Sequence, residues 1–214
     1  ASNIMDHSYS LPPEIIIIGK KMSQAGYSSF LVGGCVRDIL LGKVPKDWDL
    51  ASDATPDQVL EVFEHAHYDN EYGTVRIVND DTNDPKLKVV EITTFRKDIG
   101  YSDDRRPDAI EYSTDIADDL SRRDFTINAL AYPLTSKTIV KDTAVFKESH
   151  VVDLHEGLSD LKNKVIKTVG NPDDRFGEDA LRLLRAVRFA AQLDFAIESQ
   201  TLVSLTANAN RLQN

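Results

Sequence analysis

The sequence predicts an α+β fold in which strands and helices alternate up to Asn171 and helices alone follow. Three observations carry this. Short β-rich runs ("SSFLVGG", "YGTVRIV", "LKVVEITTF") stop at glycines or polar links. Stretches with helical apolar spacing and capping punctuation lie between them. From Asn171 and Pro172 onward the spacing is wholly helical, which sets the expected boundary between a first domain, 1–171, and the start of a second, 172–214. The 214 residues suffice for one large or two small domains.

The elements follow in order. "PPEIIIIGKKMSQAG" opens on prolines and closes on Gly26, the punctuation of a helix, and its Ile15–Ile18 run is expected to pack on the core. "SSFLVGG" predicts a strand, "CVRDILLG" a helix ending at Gly42, and "KDWDLAS" a second strand. "TPDQVLEVFEHA" predicts a helix with Thr55 as N-cap and Pro56 in its first turn. "YGTVRIV" and "LKVVEITTF", joined by the polar "NDDTNDPK", predict a hairpin. "RKDIGYSDDRRPD" is nearly free of apolar residues and reads as a mobile loop, with "AIEYS" a strand after it. "RRDFTINALAY" runs from a charged entry to a buried-looking end, and "SKTIVKDTAVFKESH" is poorly patterned, as an insertion would be. "VVDLHEGLSDLKNKVIKTVG" predicts strand, helix, strand, and "GEDALRLLRAVRFAAQL" the longest helix.

Composition narrows the class. Hydrophobic residues make up 41% and charged residues 28%, as in an ordinary globular protein. No apolar run approaches the ~20 residues that cross a bilayer, so no membrane is expected. "ASNIMDHSYS" lacks the basic and apolar regions of a secretory signal. Cys35 is the single cysteine, which excludes an internal disulfide and suits a reducing compartment. A cytoplasmic location is expected, with an organellar matrix left open. Oligomeric state is not legible. The formal net charge of −10 argues against a surface built throughout to grip nucleic acid, so any such grip is local or lies elsewhere.

Several polar residues stand out by type and spacing. Within a strand, Asp47 and Asp49 face one side and Trp48 the other. Two carboxylates on one face repel unless a cation lies between them, and Mg²⁺ takes such oxygens together with those of phosphates. Two ions about 3.5–4 Å apart activate an attacking oxygen and stabilise a leaving pyrophosphate. The alternative is a pair of exposed acids at a strand end. Glu91 shares a face with Val89 and Thr93 in "VVEITTF", where a charge is costly unless paired or metal-bound. It is either a third ligand or the partner of a nearby arginine.

Gly33 and Gly34 sit at a strand-to-helix junction, where backbone can approach a ligand and N–H groups face an anion. Arg37, one turn on, can cap a phosphate; the alternative is a plain turn. There is no G-x-x-x-x-G-K-[ST], hence no P-loop. In "RRDFTINA", Arg123 can take a phosphate and Asp124 and Asn128 a sugar, or the arginines form a surface pair and Asp124 a helix cap. Asp179, Arg182, Arg185 and Arg188 recur every three residues and drift slowly around one side of a helix, leaving Leu183, Ala186, Ala190 and Leu193 to pack. An Asp/Arg pair can match the Watson–Crick edge of a base; the alternative is an ion pair between Asp179 and Arg182.

Together, "GGCVRDILLGKVPKDWDL", "YGTVRIV…VVEITTFRKD", "RRDFTINALAY" and "GEDALRLLRAVRFAAQL" resemble the class II tRNA nucleotidyltransferases, the CCA-adding enzymes, which are similar to bacterial poly(A) polymerases. The likeness spans roughly residues 11 to 195. It implies a polymerase-β-like nucleotidyltransferase head, a mixed sheet flanked by helices, followed by a helical neck. It implies addition of CMP and AMP from CTP and ATP to the tRNA 3′ end, with release of pyrophosphate. Asp47 and Asp49 match the catalytic metal-binding pair, with two Mg²⁺ ions, and Glu91 the third carboxylate. Gly33, Gly34, Arg37, Arg123, Asp124 and Asn128 match nucleotide contacts. Asp179 and Arg182 match the E-D-x-x-R element that selects the base, with Arg185 and Arg188 beside it. "FRKDIGYSDDRRPD" resembles the flexible loop tied to the switch from C to A. The 136–150 segment is longer than the family leads one to expect. Family members continue into further neck, body and tail helices that hold tRNA, so the basic grip is expected outside these 214 residues. An A-adding enzyme, a poly(A) polymerase, or a nucleotide-binding piece without turnover are the rival readings.

Overall fold

The computed structural model describes residues 4–103 and 105–213. The proline pair starts helix α1 (Pro13–Gln24), which buries Ile15, Ile16, Ile18 and Met22. Strand β1 (Ser29–Val32), helix α2 (Gly34–Leu40) and strand β2 (Asp49–Ser52) follow. Helix α3 (Pro56–Val62) carries the expected cap: the Thr55 hydroxyl accepts from the Gln58 N–H, and the Gln58 side chain accepts from the Thr55 N–H. Strands β3 (Ala66–Asn70), β4 (Thr74–Val78) and β5 (Val89–Thr94) come next, with β4 and β5 forming the expected hairpin. Strands β6 (Arg96–Ile99) and β7 (Ala109–Tyr112) precede helix α4 (Ile116–Ser121) and strand β8 (Leu130–Pro133). Strand β9 (Val152–Asp153), helix α5 (Gly157–Asn163) and strand β10 (Val165–Ile166) confirm the strand–helix–strand reading. Helices α6 (Pro172–Glu178) and α7 (Leu181–Leu193), strand β11 (Ala196–Ile197) and helix α8 (Ser199–Ala207) complete the order.

Seven strands make one mixed sheet in the order β3-β4-β5-β2-β1-β8-β9. Only β2 and β5 run parallel within it, and their register sets Asp49 opposite Glu91. Period-two alternation divides the core. Leu31 and Leu50 join the main cluster, with Ile15, Ile39, Ile92 and Tyr132. Their neighbours Val32 and Ala51 face the other way and pack with Phe95, Leu120 and Ala131. Because Asp49 and Ala51 share a face, Asp49 emerges on the α4 side of the sheet, while Trp48 is buried in the main cluster as expected.

Four expectations are corrected. The segment read as a mobile loop holds most of a two-stranded hairpin, β6–β7, pairing Arg96 with Tyr112 and Ile99 with Ala109. Its charged side chains find ionic partners, which apolar periodicity does not report; Asp104 lies outside the described residues. The helix expected over 55–66 ends at Val62, and strand β3 begins at Ala66. Asp47 lies before β2, not within it, so the two aspartates do not share a strand face by alternation. The helix expected over 177–193 is broken: Asp179 is extended (φ −145°, ψ 109°), and its Oδ1 accepts from the Leu181 N–H at 2.8 Å. That local hydrogen bond offers the backbone an alternative to the helical ladder.

At 171–172, Asn171 caps α6 and Pro172 takes its first turn, and β10 pairs in parallel with β11 across this point. Among the described residues, no helix is long and apolar enough to cross a membrane.

Candidate active site

The end of β1, the start of α2, the approach to β2, the segment after α4 and one side of α7 enclose a cleft of about 670 Å³. It contains Gly33, Gly34, Arg37, Asp47 and Asp49 from the first half of the chain. Opposite them stand Arg123, Asp124, Asn128, Asp179 and the three arginines Arg182, Arg185 and Arg188. Every residue singled out from the sequence except Glu91 meets in this one cleft. Cationic side chains outnumber acidic ones along it, although the chain as a whole carries a net charge of −10.

Gly33 shows why the glycine pair is there. Its backbone sits at φ 70°, ψ −131°, a conformation reserved for glycine, and a Cβ at that position would lie 2.9 Å from Arg123 Nη1. The glycine lets the Arg123 guanidinium press against the turn.

Asp49 is half-buried and faces the cleft, with Asp47 exposed nearby. Burial, then the charges of Glu91 and Asp47, push the Asp49 carboxyl up to about 6, against the pull of Arg123. Glu91 lies on the accessible face of β5, so the mid-strand cost expected of it is reduced. Its Oε1 accepts from Arg76 Nε at 3.2 Å, and that arginine also meets Asp69 at 2.8 Å. The arginine partner weighed from sequence is therefore present. Glu91 nonetheless lines a second hollow, of about 480 Å³, with Asp47, Asp49 and Arg76. Among the described residues no group of three His, Cys, Asp or Glu side chains is gathered closely enough to hold an ion. Asp47 and Asp49 still offer hard oxygen donors, whose mutual charge helps to raise the Asp49 carboxyl, and such donors fit Mg²⁺ better than a softer metal.

A chain of hydrogen bonds links α2, the segment after α4 and α7. Arg37 Nη1 donates to Asn128 Oδ1 at 2.6 Å, Asn128 Nδ2 to Asp124 Oδ1 at 3.2 Å, and Arg185 Nε to Asp124 Oδ2 at 2.7 Å. The Phe189 ring lies 5.1 Å from the Arg37 guanidinium and 5.0 Å from that of Arg185, so it bridges the same two cations. Helix α7 is thereby fastened to α2. Asp124 also accepts from the Phe125 N–H, but the short helical turn that follows has no side-chain cap, so the alternative reading of Asp124 as a helix cap does not hold.

Asp179 and Arg182, expected to face a base, are placed differently from the sequence expectation. Asp179 and Arg182 are not ion-paired through their side chains. Arg182 is buried and donates to Glu178 and to the carbonyls of Arg175 (3.0 Å) and Arg122 (3.2 Å). Arg188 is exposed at the cleft edge. Leu183 and Ala186 are buried and Ala190 and Leu193 pack on the core, as the spacing predicts.

Two residues escaped the sequence reading. Phe189 looked like one more apolar residue of a helix. Asp119 stands three and four residues before Arg122 and Arg123, a spacing that pairs charges on a helix and could have flagged it.

The chain has clear likenesses. The Poly A polymerase head domain matches residues 29–167. The CCA-adding enzyme of Limosilactobacillus reuteri (strain DSM 20016) is 43% identical over 195 residues, covering 91% of this chain and 44% of its own length. That of Levilactobacillus brevis is 44% identical over 193 residues, covering 90% and 44%. The Bacillus stearothermophilus CCA-adding enzyme in complex with CTP superposes with a TM-score of 0.77 at 33% identity, covering 94% of this chain and 45% of that one. A tRNA nucleotidyltransferase complexed with a primer tRNA and an incoming ATP analog superposes at 0.68 and 30% identity, covering 90% and 50%. The chain thus spans less than half the length of the curated relatives it matches.

Proposed function

The chain belongs to the Poly A polymerase head domain family, and from that premise we propose that it is the nucleotidyl-transfer head, 1–171, and first neck segment, 172–214, of a CCA-adding tRNA nucleotidyltransferase. Its reaction is the addition of CMP and AMP, from CTP and ATP, to the 3′ end of tRNA, with release of pyrophosphate. The observation that carries this is the meeting of Asp47 and Asp49 with the glycine turn and the α7 arginines in one cleft. The names of the relatives, and the nucleotides and tRNA held by the solved ones, support it.

In this reading Asp47 and Asp49 hold Mg²⁺, and Glu91 joins them on leaving Arg76. Bound divalent ions supply Lewis acidity to the acceptor hydroxyl and the leaving pyrophosphate. The chain's own residues position the reactants. Gly33 and Gly34 let the triphosphate approach the backbone, and Arg37 and Arg123 neutralise its charge. Asp124 and Asn128 meet the sugar. Asp179 would present a carboxylate oxygen to the base edge, and Arg182 would join it by turning a donor away from Glu178 and the two carbonyls that hold it, with Arg185 and Arg188 flanking the base. No covalent intermediate is required; alignment and charge neutralisation lower the barrier.

The test uses the full-length protein, a tRNA lacking CCA, and labelled CTP or ATP offered singly. CMP is incorporated from CTP alone, whereas an A-adding enzyme or poly(A) polymerase would incorporate none. Asp49→Ala lowers the rate by about a thousandfold, the several kcal/mol that metal-ion stabilisation supplies. Wild-type rates in Asp47→Ala and Asp49→Ala would refute the metal assignment.

A further inference from the structure

Asp119 lies in the short helix α4, and its side chain is wholly buried. A buried carboxylate is costly unless charge-assisted hydrogen bonds replace its water. Asp119 has them from two consecutive arginines. Its Oδ1 accepts from Arg123 Nε at 3.1 Å and Nη2 at 2.8 Å, a fork, and its Oδ2 accepts from Arg122 Nη2 at 3.0 Å. Burial pushes the carboxyl up, but Arg123 and Arg122 overcome it and hold the group below the ordinary aspartate range. Arg122 also reaches Asp98 of β6 at 3.9 Å.

Such a buried trio is a poor route to stability, since an apolar trio of like volume commonly does as well or better. What it does supply is a fixed charge. Arg123 is held on one side by Asp119 and on the other by the Gly33 turn, which only a residue without Cβ permits at that distance. The fork uses the Nε and one Nη2 proton, so Nη1, against the glycine turn, and a second Nη2 proton lie outside it on a side chain that lines the cleft.

We propose that Asp119 is a positioning residue: it holds Arg123, with Arg122 beside it, at the glycine turn so that the guanidinium meets the phosphates of a nucleoside triphosphate. The assignment rests on the reading of the cleft as a triphosphate site. It predicts a particular failure in Asp119 variants. Affinity for the phosphate tail falls, while the contacts to base and sugar persist.

The experiment is binding of CTP and of CMP, with Mg²⁺, to wild type, Asp119→Asn, Arg123→Gln and the double variant, alongside thermal melting. Wild type prefers CTP to CMP. In Asp119→Asn that preference drops by about tenfold, as it does in Arg123→Gln, and the double variant is no worse than Arg123→Gln alone. A general loss of structure would weaken both ligands together and leave the ratio unchanged. A folded Asp119→Asn that keeps the wild-type CTP/CMP ratio overturns the proposal, as does a double variant whose losses simply add. Should Asp119→Asn not fold, Asp119→Glu keeps the carboxylate but displaces the guanidiniums, and an unchanged ratio in it overturns the proposal equally. A wild type without any CTP preference would instead refute the cleft reading, and the assignment with it.

Discussion

Asp49 stands at the centre of the proposed metal site, and its carboxyl is raised to about 6. The folded protein therefore holds that proton more tightly than the unfolded chain, whose aspartates titrate near 4. In the metal-free protein this group favours folding at low pH, and its contribution falls as pH rises from about 4 to about 6. Mg²⁺ needs the charged form, so its binding must displace the proton below pH 6. The increase in melting temperature on adding Mg²⁺ is accordingly larger at pH 7 than at pH 5; equal increases at both would contradict the placement of the ion on Asp49. Gly33 carries a second prediction at this scale. Gly33→Ala meets both a disallowed backbone conformation and Arg123 at 2.9 Å, and costs about 1–3 kcal/mol in a urea titration. Gly34→Ala, whose nearest neighbour is Arg37 Nη2 at 3.5 Å, costs less. A reversed order would refute the turn geometry. The strand-to-helix position of the glycine pair was legible in the sequence, but a plain turn read equally well there, and the contact of Gly33 with Arg123 was not visible. Glu91 as a third ligand beside the aspartates was weighed from the sequence; the β2–β5 register that sets it directly opposite Asp49 was not legible.

Helix α7 is the element that completes the cleft, and beside its apolar face it is fastened through charges and one ring. Phe189 faces the Arg37 and Arg185 guanidiniums and meets Phe125 edge-on at 5.9 Å. Phe189→Leu keeps apolar volume but loses both cation–ring contacts, each of about 0.5–1 kcal/mol. It lowers the urea midpoint modestly and weakens CTP binding several-fold; unchanged binding would show that Arg37 and Arg185 need no support from the ring. Periodicity revealed α7 because Leu183, Ala186, Ala190 and Leu193 keep helical spacing. It did not reveal the break at Asp179, where one side chain captures the Leu181 N–H and redirects the chain. Nor did it reveal β6, whose charged residues find partners within the strand and on α4, Arg96 with Asp98 and Lys97 with Asp118; its partner strand β7 was expected. Patterns of apolar residues report packing; they are silent where charges join the elements.

The whole molecule sets a basic cleft into an acidic chain, an arrangement that concentrates a polyanion at one place. CTP binding is therefore salt-sensitive: its Kd rises several-fold as ionic strength goes from about 0.05 M to about 0.5 M, as the Debye length shrinks from roughly 14 Å to roughly 4 Å. An unaffected Kd would argue that the cations are already neutralised by Asp38, Asp119 and Asp124. The order of four motifs was enough to predict the mixed sheet, its helices and most of the cleft. How the helical segment joins the head was not readable, since the β10–β11 pair that crosses residue 171 involves only two residues from each strand. The central claim is that the carboxylates and the arginine helix form one nucleotide site. A crystal structure of the chain with CTP and Mg²⁺ tests it most directly. Triphosphate density between the Gly33–Gly34 turn and Arg123, with the metal on Asp47 and Asp49, is the predicted result; nucleotide bound away from these residues, or metal on other ligands, would contradict it.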